Sequence, residues 1–421
     1  MSIRRDYSQP LFGSRGSLFT PRRLFVIGLL LGALPVLLLL RRDQAQQVTL
    51  GWLGIAPTAT PFASDYATWG LERYQSGDVA GALELLAEAV RLRPDDVAYL
   101  YEYGVLLIEN DRAEEAIPVA DHALQVAPND PRGYALKGRA LMWTDSEAAI
   151  QITLLGLDVD PNFAPLYAVQ GVAYTNSGRW NEGVLQTLRA IELAPNDVFV
   201  LRAAYTPLVN VGRYQDAINY LWQAISINPN LTAPYFELAY LYRIDRPEVN
   251  DPEMALALYD EILRLDPDNA KAYLRICETR ANVPEARFDE AQPYCDHAIE
   301  LDPEYGDAYV VRGRMQYLRR NYESAIDSFE AGIEYGSTKI ECWYLRGLAL
   351  YYLGDCREAW EVLQESRDRA QAQGEGESIL ANIEAGLGFI TRNCPGFGQM
   401  SVPTALPPTP IPPTPIGGFG P

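Results

Sequence analysis

The chain has 421 residues, 48% of them apolar, with 35 Lys+Arg against 55 Asp+Glu for a formal charge of −20. That apolar content excludes a wholly disordered chain, and the acidic balance excludes a general nucleic-acid binder, which needs a basic face for phosphates. Two histidines and five cysteines leave little material for a His-based metal site or a Cys-rich zinc fold, so no metal and no cofactor are expected.

The charge is uneven. Residues 1–42 hold seven Arg and one Asp, a balance of +6, so the other 379 residues carry −26. Leu24 to Leu40 reads LFVIGLLLGALPVLLLL, 17 residues without a charge, bounded by Arg22, Arg23 and by Arg41, Arg42. As a helix this run spans ~25 Å, slightly short of a ~30 Å hydrocarbon core, and snorkelling Arg side chains cover the shortfall. Pro35 would break a soluble helix but is tolerated in a membrane one. A cleaved signal peptide is the competing reading. The 23-residue leader and the exit RRDQAQQ, without an A-x-A pattern, favour an uncleaved anchor. Five Arg precede the segment and two follow it, which points to a cytoplasmic N-terminus and an extracytoplasmic bulk. The expected order is therefore a basic cytoplasmic tail over 1–23, a single transmembrane helix over 24–40 and a Pro/Thr-rich linker over 41–62.

A pattern then recurs. RLRPDD, QVAPND, DVDPNF, ELAPND, SINPN, RLDPDN and ELDPEY place prolines at 94, 128, 161, 195, 229, 267 and 303, with spacings of 34, 33, 34, 34, 38 and 36. A period near 34 signals an array of helix pairs. Ala82, Ala116, Ala149, Ala217, Ala255, Ala291, Ala325 and Ala359 open the second-helix phrases, where a small residue lets two antiparallel helices approach and a large one would overpack. Gly70, Gly104, Gly138, Gly171, Gly313 and Gly347 are the small partners on the first helices. Four residues before five of these glycines stands an aromatic: Tyr66, Tyr134, Tyr167, Tyr309 or Trp343. Gly77, Gly178, Gly212 and Gly354 supply turns between helices, and each Pro stops a second helix.

This pattern resembles the tetratricopeptide repeat (TPR) family, W-x2-L-G-x2-Y…A-x3-F…P. The fourth unit supplies Tyr167, Gln170, Gly171, Tyr174, Ala190 and Pro195, with Gly183 in place of the usual Ala. The resemblance implies an all-α, right-handed superhelical solenoid of about nine TPR helix-turn-helix repeats over 63–371, with insertions in the sixth and seventh turns. A C-terminal capping helix over 372–394 closes it, with Leu380, Ile383, Leu387 and Ile390 on one face. Residues 395–421 read as a Pro/Thr-rich disordered tail whose PPTPI run lacks the basic residue that proline-rich ligands often carry.

Chemistry is not legible. His122 and His297 occupy the same repeat position in mid second helix, far apart, and read as solvated. No Walker A, G-x-S-x-G, H-E-x-x-H or dinucleotide glycine motif occurs, so no enzyme is expected. An antiparallel pairing that sets Cys277 against Ala291 and Cys295 against Tyr273 leaves the two thiols about a turn out of step, so both read as small buried residues. Cys356 begins the last second helix and Cys394 ends the antiparallel cap, so a Cys356–Cys394 bridge is geometrically reasonable.

In the resembling family the first helices line a concave groove. That register assigns Tyr101, Arg132, Arg139, Trp143, Phe199, Arg202, Phe236, Tyr240, Arg243, Arg314, Tyr317, Tyr344, Tyr351 and Tyr352 to it. Aromatics and Arg dominate interface energetics, and they suit an extended peptide with carboxylates. The chaperone-tail clamp of one TPR subtype, Lys/Asn/Asn/Lys/Arg, is absent: its positions in the first unit are Ser64, Ala67, Thr68 and Leu71. The expectation is a membrane-anchored scaffold that binds a protein or peptide partner at the cell envelope, with no nucleic acid. The alternative is an accessory or regulatory subunit of a membrane enzyme or assembly complex.

Overall fold

A computed structural model describes residues 61–282 and 288–397. The expected cytoplasmic tail, transmembrane helix and nearly all of both Pro/Thr-rich segments lie outside those residues. Among the described residues no helix is long and apolar enough to cross a membrane. They form twenty helices and no strand, in two compact units divided between Leu166 and Tyr167.

The first unit holds α1 (Ala63–Gln75), α2 (Val79–Leu92), α3 (Val97–Glu109), α4 (Ala113–Val126), α5 (Pro131–Leu141) and α6 (Ser146–Val159), and the start of α7 (Ala164–Asn176). The recurring phrases explain the joints. Each proline follows the end of a second helix, and after Pro94 and Pro128 the Asp two positions on caps the next first helix: Asp96 accepts from Ala98 N at 3.1 Å and Asp130 from Arg132 N at 3.0 Å. The fixed-offset tyrosine locks the same joint, since Tyr134 Oη donates to the Pro128 carbonyl at 3.0 Å. In α2, Ala82, Leu83, Leu86 and Ala89 are buried on one face, and each such leucine contributes ~1.5–3 kcal/mol.

The second unit continues with α8 (Trp180–Leu193), α9 (Val198–Ala203), α10 (Tyr205–Asn210), α11 (Tyr214–Ile227), α12 (Ala233–Tyr242), α13 (Pro252–Leu265), α14 (Ala270–Ala281), α15 (Phe288–Leu301), α16 (Gly306–Leu318), α17 (Tyr322–Glu334), α18 (Glu341–Leu353), α19 (Cys356–Gln373) and α20 (Glu377–Asn393). Asp197 and Asn269 repeat the cap on α9 and α14, and Tyr235 and Tyr309 repeat the bond to the closing proline's carbonyl, each at 3.0 Å. The break between α9 and α10 follows from Pro207, which has no N–H for the Ala203 carbonyl four residues back. The turn glycines Gly77, Gly178, Gly212 and Gly354 all have positive φ, between 77° and 94°. On α20, Ile383, Leu387 and Ile390 are fully buried against the last repeat.

Gly183, the departure from the family pattern, has a steric reason. A Cβ there would lie 2.8 Å from the Gly171 carbonyl and closer still to the Thr175 hydroxyl. The pairing geometry also corrects the reading of two cysteines. A first-helix glycine faces the residue four beyond the second-helix alanine: Gly70 meets Leu86, Gly171 meets Thr187, Gly313 meets Phe329 and Gly347 meets Leu363. In the seventh repeat those two positions are Cys277 and Cys295, with Cα atoms 5.4 Å apart and joined as a disulfide. The out-of-step pairing set Cys277 against the alanine itself, one helical turn away from its partner. Cys356 and Cys394 form the second bridge, as expected, with Cα atoms 6.0 Å apart.

Candidate protein-interaction site

In the second unit the first helices α14 and α16, and α16 and α18, pack side by side. The structure gives its arginines work inside the array. Arg202 of α9 reaches Glu237 of α12 at 2.8 Å. Arg243, the C-cap of α12, reaches Glu278 of α14 at 3.2 Å. Glu278 is buried and also bound by Arg275 at 2.6 Å and Lys339 at 3.4 Å, with Asp307 on Lys339 at 3.2 Å. Burial pushes the Glu278 carboxyl up, but Arg275, Lys339 and Arg243 outweigh it and hold it below its ordinary value. These arginines bridge one repeat to the next.

Aromatic side chains occupy the space between the ion pairs. Tyr205 of α10 meets Tyr240 edge-on at 6.4 Å, and Tyr240 is 56% exposed. Phe236 packs on the buried Tyr259 at 6.1 Å and lies beneath the Lys271 ammonium at 5.4 Å. Phe199 is half-buried at the start of α9.

Farther along the same unit the face becomes a tyrosine cluster. Tyr317 of α16 lies 6.3 Å from Tyr352, Tyr352 stacks on Tyr322 at 4.8 Å, and Tyr351 stacks on Phe389 of α20 at 6.2 Å. Burial, then the neighbouring Tyr352 and Tyr322, push the Tyr317 phenol well above its ordinary value. Arg314 donates to Asn282 Oδ1 at 3.2 Å, and Tyr344 is half-buried, its phenol raised first by burial and then by Glu341.

In the first unit, Arg139 is buried and ion-paired with Glu109 of α3, again between first helices. Arg132 stands in the first turn of α5 on its own cap, Asp130, at 2.6 Å. Tyr101 meets Phe163 edge-on at 6.5 Å. Trp143 falls beyond α5, in the turn before α6, and is 59% exposed.

Reading from the sequence placed the arginines on the correct helices and missed their partners. The signal was present: Glu237 and Glu278 each follow their arginine by 35 residues, and Arg139 follows Glu109 by 30, roughly one repeat in each case. Tyr205, Tyr322 and Phe389 were also missed. Tyr322 opens a second helix and Phe389 belongs to the cap, so a first-helix register does not reach them. His122 Nε2 donates to Asp95 Oδ1 at 3.0 Å and His297 Nδ1 to Glu300 Oε2 at 3.0 Å, both near the surface. Among the described residues no group of three or more His, Cys, Asp or Glu is placed to hold a metal ion.

Residues 73–140 and 285–337 match tetratricopeptide repeat family models. The Hsp70-Hsp90 organizing protein of Triticum aestivum is 23% identical over 330 residues, covering 74% of this chain and 48% of that protein. The mitochondrial import receptor subunit TOM70 of Homo sapiens is 27% identical over 276 residues, covering 62% of this chain and 43% of that protein. This chain thus spans less than half the length of either relative. Among solved structures, the APC/C hetero-tetramer Cut9-Hcn1 aligns with a TM-score of 0.55 at 14% identity, over 74% of this chain and 59% of that one. Those two stretches thus carry tetratricopeptide repeats, within described residues that form helices and no strand.

Proposed function

We propose that this chain is a scaffold that holds a protein or peptide partner on its first-helix face, anchored in a membrane by residues 24–40 with the repeats outside the cytoplasm. The observation that carries the binding reading is the aromatic side chains of the second unit: Tyr240 stays 56% exposed on α12, where Glu237 and Arg243 are paired, and Tyr352 stays 51% exposed on α18, where Arg346 is paired with Glu330. An exposed Tyr on a rigid helix supplies contact area at little entropic cost. Two observations support the placement. The uncharged run from Leu24 to Leu40 lies between arginine pairs. The repeats also hold two disulfides, which persist in oxidising compartments.

The absence of the Lys/Asn/Asn/Lys/Arg clamp in the first unit argues against a chaperone tail as ligand. The test is affinity capture from detergent-solubilised membranes with the full chain, run beside Tyr240→Ser and Leu185→Ser. Leu185 is 65% exposed on the second helix α8, away from the assigned face. Tyr240→Ser is expected to weaken capture several-fold and Leu185→Ser to leave it unchanged. The opposite result would move the binding surface to the second helices. Release of the chain from membranes by alkaline carbonate would remove the anchor from the proposal.

A further inference from the structure

The aromatic face does not end at the last repeat. From Tyr322 the rings continue through Tyr352 at 4.8 Å, Tyr351 at 5.4 Å and Phe389 at 6.2 Å. The chain leaves the array at the end of this row. Asn393 donates to Tyr351 Oη at 2.7 Å. The next residue, Cys394, is bonded to Cys356, only four positions after Tyr352. Phe397 then packs on Trp360 at 5.7 Å. Residues 398–421 include no charged side chain and contain the run PPTPIPPTPI at 407–416.

We infer that this row of tyrosines is a docking surface for the chain's own proline-rich segment, residues 407–416, bound in cis. The chemistry matches on three counts. A run of this composition favours the polyproline II conformation, whose ten residues span ~31 Å, enough to cover three ring-to-ring steps. Proline rings lie flat on tyrosine faces, and phenol hydroxyls reach backbone carbonyls that polyproline II leaves without internal partners. The segment brings no charge to desolvate. The nine residues from 398 to 406 form the tether. A short tether sets an effective concentration near ~1 mM, so even an intrinsic Kd of ~0.1 mM keeps the row ~90% covered. Any foreign partner for this part of the face has first to displace the tail. The inference assigns Tyr352 to the tail and leaves Tyr240 to the partner proposed above, so capture through Tyr240 and protection of Tyr352 are tested separately.

The test compares the full chain in detergent with a full-length variant in which residues 407–416 are replaced by Gly/Ser. The readout is the tetranitromethane nitration rate at each tyrosine, followed by mass spectrometry. Tyr322 and Tyr352 are expected to react ~10-fold slower in the native chain than in the variant, while Tyr240 reacts equally in both and serves as the internal control. In a second measurement, a labelled synthetic peptide of residues 403–416 is titrated onto both chains. It should bind the Gly/Ser variant ~10-fold more tightly than the native chain, and Tyr322→Ser with Tyr352→Ser in the variant should abolish that binding. Equal nitration in both chains, or peptide binding to neither, overturns the inference. Protection that grows with protein concentration also overturns it, because the tail would then come from a second copy.

Discussion

Glu278→Gln isolates the electrostatic joint between repeats because it removes one charge and keeps the shape. The carboxylate is buried and holds Arg275 at 2.6 Å, Arg243 at 3.2 Å and Lys339 at 3.4 Å. Breaking a buried pair from one side commonly costs ~3–5 kcal/mol. Here the cations keep 19–32% exposure, so water partly compensates them, and ~2–4 kcal/mol is the expected loss. Repeat arrays unfold in segments, so a single melting midpoint would dilute the effect. Amide exchange along α14 reads it locally, as a ~30- to 700-fold loss of protection. The pH dependence has a fixed sign. The folded carboxyl titrates below its unfolded value of ~4.3, so its stabilisation is complete above that value and is lost as pH falls through the folded one. Glu278→Gln should flatten this acid limb. A double-mutant cycle with Arg243→Met, which reaches Glu278 from the preceding repeat, should show coupling above ~1 kcal/mol. Exchange unchanged within threefold, an unaltered acid limb and an additive cycle together would refute the joint.

Gly183→Ala should destabilise the fourth repeat by ~1–3 kcal/mol through overpacking against the Gly171 carbonyl, whereas Gly376→Ala, with open space at its Cβ, should change urea unfolding little; equal effects would refute the close crossing. The cysteine arrangement predicts a thiol count. Cys342 is the cysteine outside both bridges, buried, with its thiol pushed up to about 12 by burial, so iodoacetamide should miss it in the native chain and label it alone after unfolding without reductant. Labelling at Cys277 or Cys295 would remove the first bridge. Loops of 18 and 38 residues limit the loss on reduction to ~3 and ~4 kcal/mol.

The helix pairs were legible because each repeat carries its own punctuation. A proline stops one helix; in four repeats an Asp or Asn two positions later caps the next, and in three a tyrosine six residues after the proline bonds back to its carbonyl. All of this is local in sequence. The Cys277–Cys295 bridge was missed for a reason of register: the first-helix glycine position touches both the second-helix alanine and the residue one turn beyond, and only the first contact was considered. The arginines were misread for a different reason. Residue type and helix face mark Arg139, Arg202 and Arg243 as interface residues, but whether a guanidinium meets solvent or the next repeat's carboxylate depends on repeat-to-repeat packing.

That packing changes which residues can carry recognition. A ligand carboxylate arriving at Arg202 or Arg243 would exchange one ion pair for another, drawing the cation from Glu237 or taking one of three from the buried Glu278, so little net free energy is gained. Replacing these arginines would accordingly disturb the joints between repeats as much as any binding. The exposed tyrosines stand differently. Tyr240 meets Tyr205 edge-on and Tyr352 stacks on Tyr322, and each keeps about half its surface in solvent, so a ligand adds contact without removing an existing charge pair. The charges on this face join one repeat to the next, and the binding proposed above falls to the exposed aromatic side chains between them.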